Sequence, residues 1–288
     1  MEVTFLSAKN YADPDANNGD CIIIDNGSEL IIYDCGCKEH AERVLTYMDE
    51  HNYATAKLIL SHNDSDHFDG IPYLIEEGRI SDVYTLLLLK YKDDLLKRIT
   101  GKPIKEETLT QRIAEIFDNI YSLSGEVTLR DIFTDTQVCS DITIVGPSKD
   151  YALEAVAKRI DKHQGDTIDK ETIVNAVSTQ VKVIVGAKKL LLCGDSSYEA
   201  IKDKLYEYSL IQLPHHGKKE QADEIFSQKG SAGITYFVSD NTGTSNGGSD
   251  DLPKRGYNIL NTKSGDQTSS SLYSYFTNTP IRPYYRRI

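Results

Sequence analysis

The strongest constraint on this chain is a local plan that it uses twice. In the first half, Cys21-Ile22-Ile23-Ile24-Asp25, a turn at Asn26-Gly27, and Glu29-Leu30-Ile31-Ile32-Tyr33-Asp34 have the pattern of a β-hairpin. Asparagine-glycine between β-branched runs supplies the positive φ angles that a tight hairpin turn requires. In the second half, Thr179-Gln180-Val181-Lys182-Val183-Ile184-Val185, a turn at Gly186-Ala187, and Lys189-Leu190-Leu191-Leu192-Cys193-Gly194-Asp195 repeat it. Each hairpin finishes in an aspartate near a glycine and is followed by a predicted helix, over 38–52 and 196–206. An apolar strand then runs into histidine: Leu58-Ile59-Leu60 before His62, and Leu210-Ile211-Gln212-Leu213 before His215-His216-Gly217. A duplicated strand–strand–helix–strand unit predicts an α/β fold with two sheets face to face and helices outside. Such a four-layer αββα sandwich would bring side chains of both halves together at one edge.

That edge has metal chemistry. Ser61-His62-Asn63-Asp64-Ser65-Asp66-His67 contains the pattern H-x-D-x-D-H, four metal-competent side chains within six positions at the end of a buried strand. Imidazole and carboxylate together suit Zn²⁺, Mn²⁺ or Fe²⁺, and ligands at alternating and adjacent positions can address two ions. A strand-terminal aspartate alone is usually just a turn residue. The weight lies in four segments converging: Asp34 and its neighbours, 62–67, Asp195, and His215-His216.

Of the 288 residues, 39% are hydrophobic and 26% charged, the balance of a globular protein with ample core. No apolar run approaches the ~20 residues of a membrane span, and no secretory signal opens the chain. The five cysteines are odd in number and scattered, which suits a reducing cytoplasm better than a disulfide framework. Cys35-Gly36-Cys37 lacks the usual C-x-x-C spacing and is read as structural. Net charge is −12, so a polyanion would need a local basic patch. The compact basic cluster, Arg282-Pro283-Tyr284-Tyr285-Arg286-Arg287, is read as a solvated tail. A membrane partner is not expected.

The whole of 1–288 reads as a single domain. Residues 89–124 differ from the rest, with few Gly or Pro and many Lys, Glu and Asp. Helical spacing over 91–99 and 111–121, broken at Gly101-Lys102-Pro103, predicts a helical insertion. It is either one wall of the cleft or peripheral packing. Asp240–Asp251 reads as a flexible loop without a core face. His40, His51 and His163 are read as surface histidines.

In order and spacing, the four segments resemble the metallo-β-lactamase superfamily. They are most similar to the branch holding the hydrolase domains of ComEC-type DNA-uptake proteins and the phosphorylcholine esterases. Members of that branch similarly carry H-x-D-x-D-H, a strand ending in L-x-G-D and H-H-G after an apolar strand; Gly19-Asp20-Cys21 also looks like their opening segment. The resemblance implies two divalent ions, Zn²⁺ or Mn²⁺. His62 and Asp64 would bind one ion, and Asp66 and His67 the other. Asp195 would bridge them, and one of His215 and His216 would complete the second site. The remaining histidine of that pair would reach the leaving group, so Asp66, His215 and His216 bear on catalysis. Asp34 would accept the other ring N–H of a ligand histidine.

Two departures matter. Histidine is usual where Asp64 stands, and the oxygen ligand makes this site harder and more tolerant of Mn²⁺ or Fe²⁺. A further ligand histidine is expected before Asp195, yet only His163 is there; Asn175-Ala176-Val177-Ser178 looks like the branch's N-x-x-S segment. The first site is therefore expected to be incomplete, weak or filled by water. The expected activity is hydrolysis of an anionic phosphodiester, nucleic acid or a small molecule, by a metal-activated water. The alternatives are hydrolysis of a carbonyl ester, lactone or thioester on the same metals, and a non-catalytic module with a degenerate site serving a partner protein.

Overall fold

The computed structural model describes residues 1–12, 18–101, 103–123, 125–161, 167–240 and 248–270. The first half runs β1 (Glu2–Phe5), β2 (Cys21–Asp25), β3 (Leu30–Cys35), α1 (Lys38–Glu50), β4 (Ala56–Ile59), α2 (Ser65–Phe68), α3 (Ile71–Glu76) and β5 (Ile80–Thr85). Next come α4 (Lys92–Arg98), α5 (Glu106–Ile116) and α6 (Asp118–Ser122), in the stretch expected to be a helical insertion. They lead to β6 (Thr128–Asp131), β7 (Gln137–Cys139), β8 (Ile142–Gly146) and α7 (Lys149–Asp161). A small hairpin, β9 (Thr167–Ile168) and β10 (Glu171–Thr172), precedes α8 (Ile173–Ala176). The second repeat then runs β11 (Gln180–Val185), β12 (Lys188–Leu192), α9 (Tyr198–Ile201), β13 (Leu210–Gln212), α10 (Lys219–Lys229) and β14 (Thr235–Val238). β15 (Asn258–Asn261) and β16 (Gln267–Thr268) follow.

Two seven-stranded sheets result, in the orders β16-β1-β2-β3-β4-β5-β6 and β15-β14-β13-β12-β11-β8-β7. The repeat predicted from sequence is visible in both: β2 and β3 pair antiparallel and β4 joins β3 in parallel, as β11, β12 and β13 do. Parallel neighbours need a crossover, and α1 and the α9 segment supply it outside the sheets. The α/β sandwich is borne out.

Alternation decides which residues lie between the sheets. Leu190, Leu192, Leu210 and Phe237 belong to the large core, while Leu191, Cys193, Ile211, Tyr236 and Val238 belong to a separate cluster with Ile225 and Phe226 of α10. Period-two strands present one set to each face, so the second sheet buries both. The two sheets touch through Phe5 and Phe237, whose rings stack with centroids 4.6 Å apart and planes 5° from parallel. Tyr33 donates its hydroxyl to Thr179 O at 2.7 Å, a second tie between them.

Four expectations need correction. Asn26-Gly27 does not close a two-residue turn: Asp25 pairs with Leu30, leaving a loop of 26–29. There Asn26 Oδ1 accepts from Ser28 N at 2.9 Å and Glu29 N at 2.8 Å, so the side chain builds the turn. The 196–206 helix is only α9 and a 3₁₀ turn at Leu205–Glu207. Asp240 is buried and accepts from Ser249 N and Oγ, each at 2.6 Å, and Ser249–Asp251 form a 3₁₀ turn; 241–247 lie outside the described residues. So do His163 and the basic cluster at 282–287. His51 is exposed, as expected.

His40 is the fourth. It shares the buried stripe of α1 with Val44 and Met48, at spacings of four and eight, and is wholly buried. Tyr11 meets its ring edge-on at 5.2 Å, and neither ring nitrogen has a hydrogen-bond partner. Burial, helped by the charge of Arg43, pushes its pKa down to about 3.

Two outcomes follow. Phe5→Ala leaves a hole between the sheets and should cost about 3–5 kcal/mol in urea unfolding; a loss under about 1 kcal/mol would mean that the stack does not hold the sheets. Between pH 6.5 and 3 the unfolded chain binds a proton at residue 40 that the native chain refuses, so stability falls with pH. Removing that one proton, His40→Leu should flatten the dependence by up to about 1.4 kcal/mol per pH unit. Equal slopes for both proteins between pH 6 and 4 would contradict a neutral, buried His40.

Candidate metal centre

The site forms where strands of both sheets end. Asp34, near the end of β3, is held at φ 58°, and its Oδ1 accepts from Ser61 N at 2.6 Å. Its Oδ2 lies 2.8 Å from His67 Nδ1. The carboxylate thus fixes both the start of the H-x-D-x-D-H loop and the ring of its last histidine, leaving Nε2 to face the site. Close backbone approach seats that loop: a Cβ on Gly19 would fall 1.5 Å from Asp66 O, and one on Gly36 2.1 Å from it.

In the second half, His215 and His216 have φ of 51° and 54°, and Gly217 follows at 80°. Two non-glycine residues in the left-handed region cost of order 1–3 kcal/mol each, and the surroundings enforce them. The turn sends the neighbouring rings apart. His216, buried, places Nε2 2.9 Å from Asp66 Oδ2, with Nδ1 2.8 Å from Ser239 O and 3.3 Å from Asp20 Oδ1. His215 is less buried; its Nδ1 lies 2.6 Å from Glu171 Oε2 and its Nε2 3.9 Å from Asp195 Oδ2.

Around Asp195 the donors crowd together, and the compact sets of three are His62, His67 and Asp195, and Asp20, His67 and His216. His62 Nε2 lies 3.6 Å from Asp64 Oδ2 and 3.9 Å from Asp195 Oδ2. His67 Nε2 lies 3.4 Å from Asp195 Oδ1 and 3.9 Å from Asp66 Oδ2, which is also the partner of His216. Donors about 2.0–2.2 Å from one tetrahedral ion stand about 3.3–3.6 Å apart, so these separations are close to those of ligands. The fit has a second sign. His62 Nε2, His67 Nε2 and Asp195 Oδ1 are buried without a hydrogen-bond partner, an expensive state unless a cation satisfies them. Either compact set could hold a divalent ion, with Asp64 beside His62 and Asp66 beside His216 as further carboxylates.

Electrostatics agree with that chemistry. Burial would raise the Asp195 carboxyl, but His67, His216 and His215 outweigh it and hold it well below the usual range. Asp66 is likewise held low, against burial, by His67 and His216. Burial would lower His67, yet Asp195, Asp66 and Asp34 raise it well above an ordinary imidazole. Carboxylates this concentrated demand positive charge.

The structure brings together every residue that the sequence singled out here. Asn175 donates Nδ2 to Asp195 Oδ2 at 3.4 Å, and Ser178 Oγ lies 3.2 Å from His62 Nδ1 and accepts from Asp195 N at 3.2 Å. The N-x-x-S segment thus lies where the missing imidazole was expected. Three participants went unassigned. Asp20 is buried beside His216 and accepts from Gln212 Nε2 at 2.6 Å; Gln212 Oε1 in turn accepts from Cys193 N at 2.9 Å. Glu171 is buried and accepts from Gln221 Nε2 at 2.8 Å and Lys218 Nζ at 2.9 Å. A polar glutamate in a two-residue strand carries no signal in sequence, whereas Asp20 stood in a noted segment.

Residues 14–146 match the family model described as Metallo-beta-lactamase superfamily. Among solved structures, the chain is similar to the metallo-beta-lactamase fold protein YhfI from Bacillus subtilis, at 15% identity and a TM-score of 0.53, over 93% of this chain and 100% of that one. It is also similar to a diphosphatase from the PhnP family, at 10% identity and a TM-score of 0.46, over 90% and 95%. The short form of human tRNase Z matches at 13% identity and a TM-score of 0.37, over 78% and 82%. No curated protein matches the chain in sequence. The match over 14–146 and the likeness to YhfI show that the chain shares the metallo-beta-lactamase fold, and its His/Asp clusters could hold a metal ion.

Asp34→Asn, which tolerates the positive φ and can still accept from Ser61 N, should lower Zn²⁺ affinity about 10–100-fold in a competition titration, because His67 loses the carboxylate that orients it. Wild-type affinity in that variant would remove Asp34 from the site.

Proposed function

We propose that the protein is a metal-dependent hydrolase of phosphodiester bonds. The observation that carries this reading is the His215–Glu171 pair beside the metal donors. Every other imidazole at the site is buried, with Nε2 turned to ligand carboxylates. His215 alone is partly open, backed by a buried carboxylate, with Nε2 towards Asp195. An imidazole so held can deliver a proton to a departing alkoxide, which a phosphodiester with a poor leaving group needs.

Two bound divalent ions would supply a hydroxide nucleophile near neutral pH and neutralise charge on the attacked phosphoryl oxygens. The protein's part is binding and orientation. Asp195 lies beside His62 and His67, Asp34 turns His67, and Asp20 with Ser239 O turns His216. His216 is the ligand of the histidine pair, and His215 serves the leaving group. The aspartate at 64 favours hard ions, so Mn²⁺ is a natural alternative to Zn²⁺. Likeness to the ComEC-type and phosphorylcholine esterase branch rests on the shared H-x-D-x-D-H, L-x-G-D and H-H-G segments. With a net charge of −12, a small phosphodiester is a better substrate than nucleic acid. The scattered cysteines favour a cytoplasmic setting. Among the described residues, no helix is long and apolar enough to cross a membrane.

The two histidines give the test. His215→Ala should keep its metal and lose about 10²–10⁴-fold in rate on an alkyl phosphodiester, but much less on bis(p-nitrophenyl) phosphate, whose leaving group hardly needs a proton. His216→Ala should lose metal. Full rates in both variants, or no phosphodiester turnover by the Mn²⁺- or Zn²⁺-loaded wild type, would reject the assignment.

A further inference from the structure

The helical insertion is hydrogen-bonded to the H-x-D-x-D-H loop at Asn63, which stands between His62 and Asp64. Asn63 donates Nδ2 to Ile116 O at 2.9 Å, and Asn119 donates its own Nδ2 back to Asn63 O at 3.4 Å. Ile116 is the last residue of α5, so its carbonyl has no partner further along the helix. The Asn63 side chain caps that helix end, while the start of α6 grips the backbone of the loop. Of the ligand set, Asp64 is the member with least else to hold it. Its side chain is 47% exposed, and it occupies the N-cap position of α2 without a capping hydrogen bond. Its carbonyl accepts from His67 N at 3.0 Å, and the residue before it is held by the Asn63 bonds to the insertion.

At its far side the insertion is tied to α7. Arg112 Nη1 donates to Ile160 O at 2.6 Å, Gly101 N to Asp161 Oδ2 at 3.0 Å, and Arg98 pairs with Asp150 at 2.6 Å. Three anchors on one side and the Asn63 clamp on the other make the insertion a strut running from α7 to the loop that carries His62 and Asp64.

We propose that Asn63 is a positioning residue for the first metal site, and that filling this site and ordering the α5–α6 junction are one linked event. The inference rests on the metal-dependent reading. Reciprocity requires that if the docked insertion improves the site, the filled site must steady the insertion. The insertion is then neither remote packing nor merely a wall.

The test is hydrogen exchange with mass spectrometry on the full chain, with and without saturating Zn²⁺, beside a Zn²⁺ competition titration. In the wild type, Zn²⁺ should slow exchange in peptides over 106–122 as well as in those around His216. In Asn63→Ala the response over 106–122 should vanish, and the weaker of two Zn²⁺ affinities should drop about tenfold, the scale of one lost hydrogen bond. Protection around His216 should remain, which a general loss of structure would not allow. Asn119→Ala, altered on the insertion and outside the ligand set, should give the same pattern in milder form and serves if Asn63→Ala does not fold. Zn²⁺ that binds the wild type and protects around His216 but not 106–122 overturns the linkage alone. So do variants that keep both affinities and the response. Failure of the wild type to bind Zn²⁺ or Mn²⁺ overturns the functional reading and this inference with it.

Discussion

The sheet edge depends on a charge imbalance that the fold itself cannot resolve. Asp34, Asp66 and Asp195 are buried among His62, His67 and His216, and Asp20 joins them. Taking carboxylates out of water costs several kcal/mol each unless positive charge and hydrogen bonds replace the solvent. Imidazoles do this only while protonated, and neutral imidazole nitrogens are what a metal ion takes up. The carboxylates therefore favour cations in two interchangeable forms, protons on histidine or ions between the side chains. That competition accounts for His62 Nε2 and His67 Nε2, buried beside Asp195 without a hydrogen-bond partner.

The pairings behind the donors are as specific as the donors. His67 has Asp34, His216 has Ser239 O and Asp20, and His62 has the hydroxyls of Ser61 and Ser178. Each leaves Nε2 as the atom facing the centre. Neutral partners behind His62 and a carboxylate behind His67 make the two rings electronically unlike: His67 would present a bound ion with the more basic nitrogen.

Much of this was legible in the chain because periodicity and strand ends are local properties. The repeated hairpin, the parallel third strand and the convergence of Asp34, 62–67, Asp195 and His215-His216 all depend on short segments whose pattern is visible in order. Legibility failed where tertiary placement decided the matter. His40 looked like a surface histidine because its residue type is polar, though its spacing to Val44 already put it on the buried stripe. Glu171 sits in a two-residue strand, and only the fold brings it to His215. The different directions of the His215 and His216 rings were undecidable in sequence because successive left-handed residues, not residue type, aim them.

The edge of the first sheet has a consequence for how the chain is made. β1 is paired on its far side by β16, with Thr4 opposite Thr268 and Phe5 opposite Gln267, and Val3 O accepts from Ser269 N at 2.8 Å. A strand at Glu2–Phe5 is therefore covered by one more than 260 positions later, at Gln267–Thr268. While the polypeptide emerges from the ribosome, that side of β1 stays open until residues 267–268 have been synthesised. The loop with His62, Asp64, Asp66 and His67 is complete far earlier, long before Asp195 exists to join its ligands. A nascent chain that stops between the two repeats thus carries an open sheet edge and a cluster of His and Asp side chains still without Asp195 and His216.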